Sequence, residues 1–505
     1  MSFAIYDGCP GPGFWERDNS HFPLPMSRHL WELFLPVYDV GTRRGLSRYG
    51  SLIDHFDFGR VKGRLYLKTC FVAASDLTER EARVQASAEA VSRKLWRRDC
   101  EDWQNVREQM CSRLLEFSAI DPALMHLDAL RNHITSLRSI FVDGTLRHFF
   151  QQPSSMFPVG DWVRGACEWT GCAQTEALAL LIGSHSGSAD FWELPARIDE
   201  YADRIITGFD LVDLTLRELP QLHSETLSSR TDARSQQHSV METIATEARL
   251  RERVPAKCRG EFNETLAEAR AAYGLHDEDV RITYLWPLGL MRRALLAATQ
   301  HLIEQGRIEQ ADHIFQTTPS ELDNLLIGTQ GPDAGELAER AIEFASWKDE
   351  KLPSSFGVRE NLSFDDLSGS CRRVNQAIMF YLGQMEDQLS DSGTRPSWSL
   401  MVAGLAASPG RYEGWARVVR EPADFRKLSK GDVLVAPTTS PAYNVILPMI
   451  GAVVTDRGGA LSHCAIVARE FGIPAVVGTD QATSRIPDGA RILVDGDRGF
   501  VAVQA

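Results

Sequence analysis

His463 stands directly behind a serine and four residues behind a pair of glycines, in the stretch Thr455-Asp-Arg-Gly-Gly-Ala-Leu-Ser-His463-Cys-Ala-Ile-Val-Ala-Arg469-Glu-Phe-Gly-Ile-Pro-Ala-Val-Val-Gly478. A neutral imidazole, with a reference pKa of roughly 6.5, is a good nucleophile near neutral pH. In the first turn of a helix it would sit among unpaired backbone N–H groups and at the positive end of the helix dipole, a ready anion site. Gly458 and Gly459 lack a Cβ and let more backbone approach. This is the chemistry of a side chain that carries a phosphoryl group. The N–H groups, Ser462, and Arg457 or Arg469 would stabilise its charge.

The elements that must position this histidine can be read around it. Cys464, Val467, Ala468 and Phe471 form an apolar stripe at helical spacing that would pin the helix to a sheet. Ser462 is the expected N-cap, and Gly472 before Ile473-Pro474 the expected stop. Cys464 lies on the stripe, so packing is its expected role. Short β-branched runs surround the helix: Gly404 to Val419, Gly431 to Pro437, and Asp488 to Val503. Separated by Gly and Pro turns, they predict a compact β/α unit over 404–505.

At 505 residues the chain should hold at least two domains. Residues from about 76 to 350, such as Glu79 to Phe117, read as helices, and Met291, Leu295, Ala298 and Leu302 form another stripe ended by Gly306. The expected fold is therefore multidomain α and α/β. It comprises a large, mostly helical substrate domain over 1–389, a linker or hinge over 390–403, and the unit over 404–505. Ser224 to Ser239, polar and rich in Ser, Arg and Gln, reads as an exposed connection. The formal charge of −14 argues against nucleic acid and anionic membrane surfaces. No run of about 18 apolar residues predicts a membrane span, and no signal peptide is visible. The nine cysteines are scattered, with Cys167 and Cys172 the nearest pair, in no standard zinc pattern. Unpaired thiols in a reducing cytoplasm and no bound metal are the expectations.

Two helical-region segments look chemically loaded. The first runs from Phe14 through Trp15, Glu16, Asp18, His21 and Phe22 to Pro25, then Arg28, followed by Asp54, His55 and Arg64. The second holds Tyr284, Trp286-Pro287, Gly289 and Arg292-Arg293. Two arginines at a helix start run against the dipole, which anion contact would offset. Arg28, Arg64, Arg292 and Arg293 are candidate phosphate clamps, and His21, with His55 and Asp54 in reserve, is the candidate base. Trp15, Phe22, Tyr284 and Trp286 are candidate pocket walls. Each can equally serve an ordinary core or a solvated surface.

The stretch around His463 resembles the swivelling phosphohistidine domain of the phosphoenolpyruvate-utilising enzymes, such as phosphoenolpyruvate synthase, pyruvate phosphate dikinase and rifampin phosphotransferase. The likeness is ungapped over Gly458-Gly459, Ser462-His463, Ala465 to Glu470 and Gly472 to Gly478. It implies that His463 is the phosphorylated residue of a C-terminal β/β/α swivelling domain. A looser likeness, over Trp15 to Pro23 and Tyr284 to Arg293, is to the substrate domains of rifampin phosphotransferase and of the phosphohistidine subunit of phenylphosphate synthase. No barrel that would bind phosphoenolpyruvate, no Gly-x-x-x-x-Gly-Lys-Ser/Thr loop and no ATP-grasp segment is read from the sequence. The resemblance therefore implies a two-component, ATP-dependent dikinase acting in aromatic-compound catabolism. ATP and Mg2+ would sit on a separate ATP-grasp-like subunit, with no tightly bound cofactor here. His463 would pass the phosphoryl group to a phenolic hydroxyl. The alternatives are the corresponding subunit of an ATP-dependent ligase or of an antibiotic phosphotransferase, and a regulatory phosphocarrier.

Overall fold

The computed structural model describes residues 5–503 apart from 7–8, 20, 182–201, 223–232, 274, 360–363, 365, 368, 386–400, 440 and 461. The linker expected at 390–403 lies outside the described residues up to 400. Of the polar stretch expected as a connection, the part from Ala233 belongs to the helix Ala233–Arg253.

The fold is mostly helical, with a mixed sheet at the C-terminal end. Helices α1 (Arg28–Arg48), α2 (Leu77–Ser92), α3 (Leu95–Ala119), α4 (Leu127–Gln151) and α5 (Pro153–Thr170) build the body. The run expected as helical from Glu79 to Phe117 breaks at Lys94, whose φ of 48° leaves the helical region. The stripe of Met291, Leu295, Ala298 and Leu302 is fully buried in the helix Trp286–Glu304. Among the described residues no helix is long and apolar enough to cross a membrane.

A five-stranded sheet, not foreseen from sequence, caps one side of this body in the order β1 (Ile5–Tyr6), β3 (Ile53–Val61), β4 (Arg64–Phe71), β2 (Trp15–Arg17), β5 (Ser355–Phe356). Its central pair, β3 and β4, is an antiparallel hairpin turning at Lys62-Gly63, both at positive φ. Period-2 alternation puts Phe56, Phe58 and Leu67 on the face toward Tyr38 of α1. His55, Asp57, Lys68 and Cys70 fall on the other face.

The C-terminal sheet has eight strands, ordered β6 (Met401–Ala403), β13 (Phe500–Val503), β12 (Arg491–Asp495), β8 (Arg411–Val418), β9 (Val433–Ala436), β10 (Ala452–Thr455), β11 (Ala475–Val477), β7 (Leu405–Ser408). Strands β8, β9, β10 and β11 run parallel, and the flanking pairs are antiparallel. Only Gly404 separates β6 from β7, the two ends of this order, so the sheet curls round on itself. A Cβ at Gly404 would lie 2.5 Å from the Val477 carbonyl oxygen, which is why this joint is glycine. Val418, Val435, Val454, Val476, Ile492 and Val494 fill the inside. Strands buried on both faces read as continuous apolar runs, and β9 and β10 are both buried throughout.

Candidate active site

The carboxyl ends of parallel strands are where an α/β sheet leaves backbone groups and loops available for ligands. Here β9 and β10 end side by side. The chain after β10 stays zipped to the chain after β9, through Asp456 N–H to Ala436 O (3.1 Å) and Arg457 N–H to Pro437 O (2.9 Å). The helix His463–Phe471 follows. Ser462 caps it by accepting from Ala465 N–H (3.4 Å), and Gly472, at φ 63°, ends it. Cys464, Val467, Ala468 and Phe471 are all buried as the stripe requires. Ala465 and Ile466 are buried too, because the helix Ala233–Arg253 packs against this one from the helical body. Burial pushes the Cys464 thiol up to about 12, which keeps it protonated.

The His463 ring is partly exposed, with both nitrogens engaged. Nδ1 lies 3.0 Å from Thr439 Oγ1, and Nε2 lies 2.6 Å from the side-chain oxygen of buried Asn444. Both partners come from the segment after β9, and neither was singled out from sequence. The only available cue was position: polar residues just past the end of a buried strand, the edge on which His463 also lies. A tautomer that donates Nδ1–H to Thr439 leaves the Nε2 lone pair for phosphorus, with Asn444 able to turn its amide N–H toward the phosphoryl oxygens.

Gly458 has a φ of 120°, and a Cβ there would fall 2.7 Å from Ser462 Oγ. Gly458→Ala is expected to cost about 1–3 kcal/mol of stability and to slow phosphorylation of His463. Thermal denaturation run beside a phosphorylation time course checks both effects.

A cavity of about 1210 Å³ opens beside this loop, between the five-stranded sheet, α5 and the helix Gly369–Met385. Arg457 and Gly458 line it from the C-terminal unit, and Arg17, Asp18 and His21 from the N-terminal segment. Phe14, Tyr38, Phe56, Phe71, Phe364 and Phe380 supply aromatic wall. His21 Nδ1 is 3.1 Å from both Asp18 carboxylate oxygens, and its backbone N–H donates to Asp18 at 3.0 Å. Burial disfavours charge on this ring, but the Asp18 carboxylate outweighs it and raises the pKa above the ordinary histidine value. Burial lowers the pKa of Arg17, and the nearby Arg457 cation lowers it further. Two guanidinium groups that converge from different parts of the chain favour an anion between them.

The other expected site residues are placed elsewhere. Arg469 is buried, donating from Nε to Ala407 O (2.6 Å) and from Nη1 to Ala460 O (2.8 Å). It therefore braces the loop from behind. Arg292 and Arg293 are not at a helix start: Leu275–Val280, a wider π turn over Arg281–Leu285 and Trp286–Glu304 run on continuously. With no exposed N-terminus to offset, their charges meet Glu218 (2.9 Å) and Asp203 (2.9 Å). Arg64 is buried and donates to Lys348 O. Arg28 sits by Arg340, Glu321 and Glu343, away from the cavity lining. Trp15, Phe22, Tyr284 and Trp286 are core residues, with Tyr284 Oη donating to Phe209 O and Trp286 Nε1 to Ser118 Oγ. His55 and Asp54 pair with each other at 2.7 Å outside the lining. The cations Arg17, Lys68, Arg164 and Arg359, which do line the cavity, were not named from sequence as site residues.

Residues 428–499 match the family described as PEP-utilising enzyme, mobile domain. The chain is 49% identical over 109 residues to a phosphoenolpyruvate synthase of Aeropyrum pernix, covering 21% of this chain and 13% of that protein. It is 30% identical over 212 residues to the rifampicin phosphotransferase of Streptomyces sviceus, covering 42% of this chain and 21% of that protein. It is also 30% identical over 267 residues to a chondramide synthase of Chondromyces crocatus, covering 51% of this chain and 6% of that protein. The last two alignments are longer than the C-terminal unit, so the likeness reaches into the helical region. This chain spans about a fifth or less of the length of each of these relatives.

Proposed function

We propose that this chain, whose residues 428–499 form the mobile domain of the PEP-utilising enzymes, is a phosphotransferase that carries a phosphoryl group on His463 to an acceptor hydroxyl bound in the cavity. One observation supports this most: Arg457 and Gly458, in the loop leading into His463, line the same cavity as the His21–Asp18 pair; His463 itself is not among the lining residues, and the proposed swivel of the C-terminal unit brings its ring there. In the first half-reaction a ring nitrogen of His463 attacks the β-phosphorus of ATP and the bond to AMP breaks; water then cleaves the terminal phosphoanhydride, so that phosphate leaves and one phosphoryl group stays on the ring. In the second, the acceptor oxygen attacks phosphorus, the P–N bond breaks, and His21 takes the hydroxyl proton. Arg457 and Arg17 hold the moving group and its charge in line. The donor is ATP with Mg2+ on a separate ATP-grasp-like subunit, with AMP and phosphate as products.

The aromatic wall suits an aryl acceptor, and a phenolic hydroxyl, with a pKa near roughly 10, benefits from a base. The cavity exceeds the usual range of about 300–1,000 Å³ for ligand pockets, far more room than a single phenol ring needs. That favours a bulky, hydroxylated aromatic acceptor over a simple phenol. It also keeps the antibiotic-phosphotransferase alternative in play, consistent with the 30% identity to rifampicin phosphotransferase over 212 residues.

The purified chain with ATP and an acceptor is expected to release no AMP. Adding an ATP-grasp-like ATP-binding subunit is expected to start AMP release that depends on the acceptor. Simple phenols and larger aryl alcohols are to be compared. Self-phosphorylation by the purified chain would end the divided-subunit account.

A further inference from the structure

The hairpin of β3 and β4 carries a second cluster of reactive groups that takes no part in the transfer just described. Cross-strand pairing sets His55 opposite Cys70 and Asp57 opposite Lys68, all on the face turned away from Tyr38. One extra residue, Asp54, bulges β3 between the pairs Ile53–Phe71 and His55–Cys70. A bulge of this kind re-aims neighbouring side chains, and here Asp54 meets His55 Nδ1 at 2.7 Å. Nε2 then faces Asp57, 3.4 Å from one carboxylate oxygen, and the other carboxylate oxygen is 3.4 Å from Cys70 Sγ. One ligand atom from each of the three residues lies within 4.8 Å of the others.

We propose that His55, Asp57 and Cys70 bind one late first-row divalent metal ion of the zinc class, with Asp54 orienting the histidine. Imidazole nitrogen, thiolate sulfur and carboxylate oxygen are the donors such ions prefer. Usual zinc bond lengths at a tetrahedral angle place N and O about 3.4 Å apart and S and O about 3.6 Å apart; here the two 3.4 Å separations run to different oxygens of Asp57, so the carboxylate turns to present one oxygen, or binds through both, as the ion enters. A carboxylate on the non-ligating histidine nitrogen is the usual support for such a ligand. The fourth position is left to water. Lys68 Nζ stands 2.7 Å from Asp57 and balances its charge without the ion. An arriving ion displaces that ammonium, which also has the Trp15 ring within 5.1 Å. The thiol proton leaves to solvent as the metal–sulfur bond forms. None of the three ligands lines the cavity, although Lys68 and Thr69 beside Cys70 do. The ion would thus stiffen the hairpin behind the acceptor site without touching the acceptor.

The test uses the full chain, stripped with a chelator, in a Cys167→Ser/Cys172→Ser background, because those two sulfurs lie only 4.0 Å apart. Zn2+ is titrated against a chromophoric chelator, and Co2+ is followed by absorption. One equivalent of Zn2+ is expected, with affinity at least tenfold weaker in His55→Ala and in Cys70→Ser, and tighter in Lys68→Met. The Co2+ complex is expected to show a sulfur-to-metal charge-transfer band that Cys70→Ser removes. Circular dichroism verifies that each variant folds. Full affinity in either ligand variant, or no uptake above that of the triple variant His55→Ala/Asp57→Ala/Cys70→Ser, overturns the proposal.

Discussion

His463→Ala is expected to abolish both labelling of this chain by ATP plus the proposed ATP-binding subunit and turnover of the acceptor. The loss should be on the order of 10⁴–10⁶-fold, the scale on which removing a covalent nucleophile acts. The ring contributes two things that no neighbour can replace. It offers a nitrogen lone pair, and Thr439 and Asn444 fix its orientation at 3.0 and 2.6 Å. The adjacent Cys464 cannot substitute, since its thiol is buried and its pKa is held near 12. Because His463 is partly exposed at the start of its helix, alanine should leave the fold intact, and an unchanged melting temperature would separate chemistry from stability. Label remaining on the alanine variant would place the carrier elsewhere.

His21→Ala is expected to leave labelling of His463 unchanged while slowing transfer to the acceptor by about 10²–10⁴-fold, the usual contribution of a positioned general base. The pH profile adds a signature that a structural role would not. Protonated His21 cannot accept the hydroxyl proton, so transfer should rise with pH through the pKa of this ring. Asp18 holds that pKa above the ordinary histidine value, so the rise should come later than for a free imidazole. In Asp18→Asn the carboxylate charge is gone, burial alone acts, and the midpoint should move to lower pH. Single-turnover measurements over pH 5 to about 9 on wild type and Asp18→Asn read this directly. A pH-independent rate, or the same midpoint in both proteins, would remove His21 from the transfer step.

The helix that presents His463 was legible in sequence because its chemistry is local. Ser462 caps it, Gly472 must take φ 63°, and the stripe from Cys464 to Phe471 needs only helical spacing. The buried strands of the C-terminal sheet were legible for the same reason. The cavity proposed to take the acceptor was not, because it is assembled from distant parts of the chain: Phe14 and His21, Tyr38, Phe56, Phe364 and Gly458. Within the first loaded segment the right residues were close but wrongly sorted. Trp15 opens strand β2 and packs with Val61 and Tyr66, while its neighbours Phe14 and Glu16 turn to the cavity. A period-2 reading of Trp15–Arg17 would have set Trp15 apart from Glu16 but would also have turned away Arg17, which lines the cavity, and three residues are too few to signal a strand. Arg292 and Arg293 misled for a different reason. Pro287 looks like a helix start, yet the π turn over Arg281–Leu285 carries the helix through it. Their acidic partners Glu218 and Asp203 lie 74 and 90 residues away, beyond the reach of local pattern.

Ile466 is buried in the core shared with the helical body, and Arg457 and Gly458 line the cavity, so the C-terminal unit lies against the helical body at the cavity in this structure. One measurement reaches the central claim without depending on the identity of the donor. The chain is phosphorylated with labelled ATP and its partner, freed of nucleotide and partner, and mixed with acceptor alone in a single turnover. The account predicts that acid-labile label mapped to His463 disappears as an equal amount appears on the acceptor hydroxyl. Label that stays on His463 until nucleotide is restored, or an acceptor that is phosphorylated only while ATP is present, would contradict it.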